Sequence, residues 1–223
     1  MRELVLEVPG GVIAVQDYGG PQDAPSVLFV HGVGLCGPNW ARVGEALSDR
    51  VHSYSFDLPG HAHSSVPMTC AADMWRCLPD IVEMVGLTRP VLVGHDTGSW
   101  VAMIGARRFP DLFSATVLVG GSAARTTDET QSYLDLVKVP EFRARLVTQL
   151  HVGERGQGQE SADALAAVMS ELTVKDWMLP QSPEGMLSEV AHSIVMNDDG
   201  SWVHTPTLRT LENGYAYEPG PDY

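Results

Sequence analysis

One segment constrains the fold more than any other: an apolar run, a glycine-flanked turn and then a helical pattern. The run is PVLV at residues 90–93, the turn is GHDTG at 94–98, and the helical pattern begins at Ser99. Glycine at both ends of the turn permits a strained backbone and close packing of the helix on the strand. The segment therefore predicts a buried strand whose carboxyl end presents Asp96 at a sharp turn into a helix.

Strand-like and helix-like segments alternate over residues 1–121. The apolar runs that are typical of buried strands lie at residues 27–30, 90–93 and 115–119, and another strand is predicted at 51–56. A hairpin of two opening strands is predicted around Pro9, and helices are predicted at 38–47 and 69–85, with Pro79 kinking or dividing the second. This alternation predicts an α/β fold with a mainly parallel sheet and helices on both faces.

The pattern changes after Gly121. From Thr130 to about Met196 we predict helices and no strand, and a last strand begins near Thr205. A chain of 223 residues has room for one sizeable domain with an inserted lid. We therefore predict an α/β core, a helical cap, and a partial return to the core followed by a tail, at residues 1–121, 122–200 and 201–223.

Charge and composition exclude several kinds of partner. The chain has 14 basic and 28 acidic residues, a formal net charge of -14, which disfavours nucleic acid and anionic lipid surfaces. It has neither a signal-peptide pattern nor an apolar run of roughly 18 residues, so we expect no membrane partner and a cytoplasmic location. Cys36, Cys70 and Cys77 lack the spacing of a disulfide framework or a zinc site. We accordingly expect no cofactor and no metal ion.

Two further polar stretches directly follow predicted strands. They are HGVG at residues 31–34 and DLPGHAHS at 57–64. Like the elbow, each stretch therefore follows a strand-like run directly.

These three motifs, in this order, resemble those of the α/β-hydrolase superfamily. The resemblance covers about residues 1–121 and implies that Asp96 is the nucleophile of a nucleophile elbow, with the backbone N–H groups of Val33 and Thr97 as an oxyanion hole. It also implies that the loop at 57–64 is structural, including its histidines. The other candidate residues of the substrate pocket and oxyanion loop are His31, Gly32, Gly34, His95, Tyr133 and Trp177.

An aspartate in the elbow restricts the reactions that the nucleophile can carry out. Attack of a carboxylate on an ester would form a mixed anhydride, whereas attack at saturated carbon opens an epoxide or expels a halide and leaves an alkyl ester on the enzyme. The chain is thus similar to the Asp-nucleophile branch that contains epoxide hydrolases and haloalkane dehalogenases. The chain differs from epoxide hydrolases at Gly34, where proline is usual. It differs from haloalkane dehalogenases at Val33 and Thr97, where halide-binding side chains are usual. We favour epoxide opening, with a small apolar organic substrate.

The superfamily places its catalytic histidine after the last strand of the sheet, but here no histidine follows His204. His151, His192 or His204 could replace that base, and the candidates for the acid are Asp128, Glu129, Glu212 and Asp222. We expect that the last strands and the closing helix are missing from a truncated chain, which would leave an apolar sheet edge that pairs with a second copy in a homodimer. Two alternatives stay open: a non-catalytic or remodelled small-ligand binder, and an inactive fragment of a longer hydrolase.

Overall fold

The computed structural model describes residues 1–121, 135, 139–171 and 183–215. Its larger sheet has the strand order β1-β2-β4-β3-β5-β6. The strands are β1 Arg2–Val8, β2 Gly11–Gly19, β3 Ser26–Val30, β4 His52–Phe56, β5 Val91–His95 and β6 Ala115–Val119. β1 and β2 form the predicted hairpin, β2 is antiparallel to β4, and the neighbouring strands from β4 to β6 are parallel. The α/β class and the mainly parallel sheet are therefore confirmed.

Helices cover both faces of this sheet. They are α1 Ala41–Leu47, α2 Asp73–Arg76, α3 Leu78–Val85 and α4 Thr97–Arg108, with a 3₁₀ turn at Gly37–Trp40 before α1. Successive strand side chains point to opposite faces. Val27 and Phe29 accordingly pack with Trp40 on one face, whereas Leu28 and Val30 join the larger cluster with residues of α2, α3 and α4 on the other. The division at Pro79 is confirmed, because α2 ends before Cys77 and the proline lies in the first turn of α3.

The region after β6 differs from its prediction. It contains helices α5 Pro140–Leu150, α6 Gln159–Glu171, α7 Pro183–Ser193 and α8 Leu208–Tyr215, and strands β7 Arg155–Gln157, β8 Ile194–Met196 and β9 Ser201–His204. The strands form a separate antiparallel sheet in the order β7-β9-β8. The prediction of no strand before Met196 is thus wrong. So is the last strand near Thr205, because the chain there enters α8.

In the described part of the chain, β1 and β6 are the two edge strands of the larger sheet. The edge of interest is β6. Its residues Val117, Leu118 and Val119 are 45%, 41% and 42% exposed. Pairing of this edge with a second copy stays a prediction. Within the ranges given above, no helix is both long enough and apolar enough to cross a membrane.

Candidate active site

Three sequence motifs meet at the carboxyl ends of adjacent strands. β3 lies between β4 and β5, and the pairing register sets Val30 opposite both Phe56 and Gly94. The loop after β3 begins at His31, the loop after β4 begins at Asp57, and the turn after β5 contains Asp96. The sheet topology therefore brings the HGVG loop and the elbow side by side.

The elbow turn is strained at Asp96. This residue has φ 52° and ψ −120°, a left-handed region that a side chain rarely occupies, and it is exposed. The glycines on each side explain how the turn closes. A Cβ atom on Gly94 would lie 2.0 Å from the Gly98 carbonyl oxygen, and one on Gly98 would lie 2.3 Å from the Val30 carbonyl oxygen. The strain and the two glycines together hold the Asp96 side chain above the end of β5.

A buried serine ties this turn to β6. Ser99 Oγ lies 2.7 Å from the Gly94 carbonyl oxygen and 3.1 Å from that of Val119, and it accepts a hydrogen bond from the Val119 N–H at 3.2 Å. The Asp96 N–H also donates to the Val119 carbonyl, at 3.0 Å. Ser99 was not predicted as a supporting residue, and it lies in the first turn of α4.

The HGVG loop lies directly against the Asp96 carboxylate. A Cβ atom on Gly32 would be 3.0 Å from Asp96 Oδ2, so only glycine leaves this approach open. The Gly34 N–H is already used, because it donates to His61 Nε2 at 3.3 Å. In the described part of the chain, neither the Val33 N–H nor the Thr97 N–H has an acceptor. These two amides are available for an oxyanion, and the role assigned to them stays a prediction.

His31 and His61 are buried scaffolding. His31 donates from Nδ1 to the Gly32 carbonyl at 2.8 Å and accepts from the Leu58 N–H at 2.9 Å. His61 donates from Nδ1 to the Pro59 carbonyl at 3.0 Å. Burial lowers the pKa of His31 to about 4 and that of His61 to about 3, so both rings are neutral near pH 7. Each ring holds a loop in place with both nitrogens occupied.

The remaining candidate site residues are His95, Tyr133 and Trp177. His95 turns its ring towards Trp40, with the ring centroids 6.4 Å apart, and its Nδ1 is buried with no hydrogen-bond partner in the described structure. Tyr133 and Trp177 lie outside the described residues.

A histidine base beside Asp96 is not observed. All eight histidines lie in the described ranges, and none forms a hydrogen bond with the Asp96 carboxylate there. His151 contacts Glu154, and His204 donates to the His151 carbonyl at 2.9 Å. His192 contacts Asp57. Of the acid candidates, Glu212 pairs with Arg143, while Asp128, Glu129 and Asp222 lie outside the described residues.

Asp57 forms a buried ion pair with His192. Asp57 Oδ2 lies 2.8 Å from His192 Nε2, and Asp57 Oδ1 accepts from the Gly37 N–H at 2.7 Å. Burial by itself would raise the pKa of Asp57, but the hydrogen bond and charge of His192 hold that pKa below its usual value. Burial opposes protonation of His192, yet Asp57 raises the pKa of His192 overall. The pair joins the loop after β4 to α7 across 135 positions of sequence.

Curated proteins resemble this chain mainly over its first half. An uncharacterised protein of Mycobacterium tuberculosis is 30% identical over 118 residues, which is 52% of this chain and 34% of that protein. A pimeloyl-[acyl-carrier protein] methyl ester esterase of Chromobacterium violaceum is 33% identical over 109 residues, 48% of this chain and 41% of the esterase. The chain thus matches less than half the length of these relatives.

Solved structures match nearly the whole chain. E-2-(acetamidomethylene)succinate hydrolase superimposes with a TM-score of 0.69 at 16% identity, covering 96% of this chain and 72% of that one. The thioesterase domain from the curacin biosynthetic pathway superimposes with a TM-score of 0.67 at 20% identity, covering 94% and 74%. Residues 25–217 match the family described as alpha/beta hydrolase fold. With the sheet order, the elbow and this match in agreement, the chain belongs to the alpha/beta hydrolase fold family.

Proposed function

We propose that this chain is a hydrolase-type enzyme in which Asp96 attacks a saturated carbon atom of a small apolar substrate and becomes an alkyl ester. One observation carries the proposal: the Asp96 carboxylate is exposed at a left-handed elbow, against the Cβ-free backbone of Gly32. A small electrophile can therefore reach the carboxylate oxygens. The amides of Val33, in the HGVG loop, and of Thr97, in the turn, have no acceptor among the described residues.

The chemistry of a carboxylate favours an epoxide or an alkyl halide over an ester. An ester would give a mixed anhydride with Asp96, whereas an alkylating substrate gives an ordinary ester. In the epoxide case, the new bond joins an Asp96 oxygen to carbon, the ring C–O bond breaks, and the alkoxide takes a proton from water. The names of the curated relatives include a methyl ester esterase, so ester hydrolysis is the alternative that the substrate panel must include.

An epoxide fits this elbow better than a halide. The Thr97 hydroxyl lies 3.3 Å from Asp96 Oδ2 and is a side-chain donor beside the nucleophile. An alkoxide leaving group benefits from such a donor and from exchange with water at the exposed elbow. A halide needs several convergent N–H donors from side chains, and the positions that resemblance would assign to them hold Val33 and Thr97.

Release of the ester is the slower step in this proposal. Water must attack the carbonyl carbon of the Asp96 ester, with the oxyanion held by the amides of Val33 and Thr97. A general base typically contributes about 10²-fold to 10⁴-fold to such a step. Because none of the histidines bonds to Asp96 in the described structure, we expect the ester to accumulate rather than turn over rapidly.

Intact-mass spectrometry tests this directly. The full chain is incubated with a panel of aryl and alkyl epoxides, alkyl bromides and methyl esters. We expect a mass increase equal to one whole epoxide molecule, mapped by peptide sequencing to Asp96. Asp96→Asn should abolish the adduct, and Asp80→Asn, which changes an exposed aspartate in α3, should leave it unchanged. An adduct that survives Asp96→Asn, or none with any alkylating agent, would overturn the proposal.

A second candidate is a non-catalytic small-ligand binder, which the lack of a histidine at Asp96 favours. In that case an apolar ligand stabilises the chain against heat, and Asp96→Asn leaves the stabilisation unchanged with no covalent product. Rapid hydrolysis that depends on Asp96 would exclude this candidate. If hydrolysis proceeds in heavy-oxygen water, label in the Asp96 carboxylate identifies attack on the enzyme ester.

A further inference from the structure

A group of three side chains lies away from the elbow, where β1, the loop after β4 and α7 meet. His63 Nδ1 lies 3.1 and 3.2 Å from the two carboxylate oxygens of Glu3, and His192 Nδ1 lies 3.9 Å from Glu3 Oε2. The rings of His63 and His192 have centroids 4.1 Å apart. One ligand atom from each residue lies within 4.8 Å of the other two.

We propose that Glu3, His63 and His192 bind one Zn²⁺ ion. Two imidazole nitrogens and one carboxylate form a ligand set that Zn²⁺ accepts at about 2.0–2.2 Å, with water completing the coordination. Ligand atoms on one such ion lie about 3 to 3.5 Å apart, so the 3.9 Å gap at His192 closes with a small rotation of the exposed Glu3 side chain. Binding replaces the Nδ1 proton of His63, which otherwise donates to Glu3. The expectation of no metal ion rested on the spacing of the cysteines. It therefore concerned sites with thiolate ligands and did not consider this group of side chains.

Asp57 supplies the supporting contact that histidine ligands of metals usually have. A metal-binding histidine generally donates its other ring N–H to a carboxylate, which fixes its tautomer and orientation. His192 does this with Nε2 on Asp57 Oδ2 at 2.8 Å, leaving Nδ1 directed at Glu3. The backbone N–H of His63 donates to the same Asp57 oxygen at 3.2 Å. One buried carboxylate therefore positions both histidines.

The predicted ion would tether the second region of the chain to the core. Glu3 is in β1, His63 is in the loop after β4, and His192 is in α7. Three strands separate β1 from β5, which carries the elbow. We therefore expect Zn²⁺ to raise the resistance of α7 to unfolding and to leave alkylation of Asp96 unchanged.

Titration of the untagged, chelator-treated full chain with Zn²⁺ tests the site. Isothermal calorimetry should give one ion per chain, and thermal unfolding should shift upwards with Zn²⁺. His63→Ala and Glu3→Gln should each weaken binding at least ten-fold, and both alter exposed side chains, so the fold should persist. The matched control is His151→Ala, which removes another histidine that contacts a carboxylate, Glu154, without a third ligand.

Zn²⁺ binding by the variants distinguishes a specific site from its absence. Binding that is lost in His63→Ala and Glu3→Gln but retained in His151→Ala supports the site. Absence of saturable binding, an affinity unchanged in both ligand variants, or an equal loss in the His151→Ala control overturns it. Circular dichroism of each variant distinguishes loss of a ligand from loss of the fold.

Discussion

The two regions of this chain differ in the size of the apolar cluster that each one encloses. Residues 1–121 enclose a large apolar cluster that draws on β1 to β5 and on α2, α3 and α4. The second region, residues 139–215 as far as they are described, has a small cluster made of Ala162, Leu165, Ala166, Met169, Val190, Ile194 and Trp202. The core can therefore form from its own burial, whereas the second region has far less apolar surface to stabilise it.

Several hydrogen bonds cross the junction between the two regions in the described part of the chain. The Asn39 side-chain amide donates to Glu189 Oε2 at 3.1 Å, the Ala62 N–H donates to Thr205 Oγ1 at 2.7 Å, and Asn213 donates to the Met68 carbonyl at 2.7 Å. A typical hydrogen bond contributes only about 0.5–1.5 kcal/mol net. We therefore expect the second region to depend on the core for its position. Substitutions in the two regions should have separable effects on stability.

The largest effect is expected in the core, at the elbow. In Gly98→Ala, the new Cβ would lie 2.3 Å from the Val30 carbonyl oxygen and 2.7 Å from that of His31, so α4 cannot keep its place. We expect a loss of unfolding free energy above about 4 kcal/mol, measured by urea denaturation. Gly105→Ala in the same helix meets only the end of the Leu78 side chain and should lose much less. Equal losses would show that backbone crowding is not the cause.

A large but local effect is expected in the second region. Trp202 is 3% exposed, packs on Gly156 and donates from Nε1 to Ser161 Oγ at 2.7 Å, so it joins β9 to β7 and α6. Trp202→Ala should destabilise this region by about 3–5 kcal/mol. Hydrogen exchange should then accelerate in β7, β8 and β9 while β3 and β5 stay protected. Trp40→Ala, which removes the ring stacked on Phe29, should instead expose the core strands. Identical exchange patterns would contradict separable regions.

A moderate effect is expected where the elbow meets β6. Ser99→Ala removes an acceptor for the Val119 N–H and a donor to the Gly94 and Val119 carbonyls. The expected loss of unfolding free energy is about 1–3 kcal/mol, with slower alkylation of Asp96. Ser48→Ala, which removes an exposed hydroxyl, should change neither quantity. Normal alkylation in Ser99→Ala would mean that the serine does not position the elbow.

The smallest effect, expressed per unit of pH, is a dependence of stability on the protonation of His31 in the core. Burial lowers the pKa of His31 to about 4, against 6.5 for a free histidine, while Asp57 raises it and His192 lowers it further. The unfolded chain therefore takes up a proton first, so the contribution of His31 is complete above pH 6.5 and declines as pH falls towards 4. The expected slope is at most about 1.4 kcal/mol per pH unit. Denaturation of His31→Gln across this range should give a flatter slope, and an unchanged slope would refute the assignment.

Several features of the core could be predicted from sequence because they are local. The apolar runs of β3, β5 and β6 and the glycines around Asp96 each carry their own signal, and the parallel register then places the HGVG loop beside the elbow. β7 and β8 were missed because three residues are too few to show a period, and β7 pairs with β9, which is distant in the chain. Ser99 was missed because a single serine in a helix has no pattern.

The α/β class and the position of Asp96 at a sharp turn could be read from the sequence, since glycines and buried strands act on their immediate neighbours. The positions of the histidines, in contrast, depend on the tertiary structure. His192 is 135 positions from Asp57, and no local pattern predicts a contact that depends on how a helix of the second region packs against the core. That packing leaves Asp96 without a histidine hydrogen bond in the described structure, and it brings Glu3, His63 and His192 together instead.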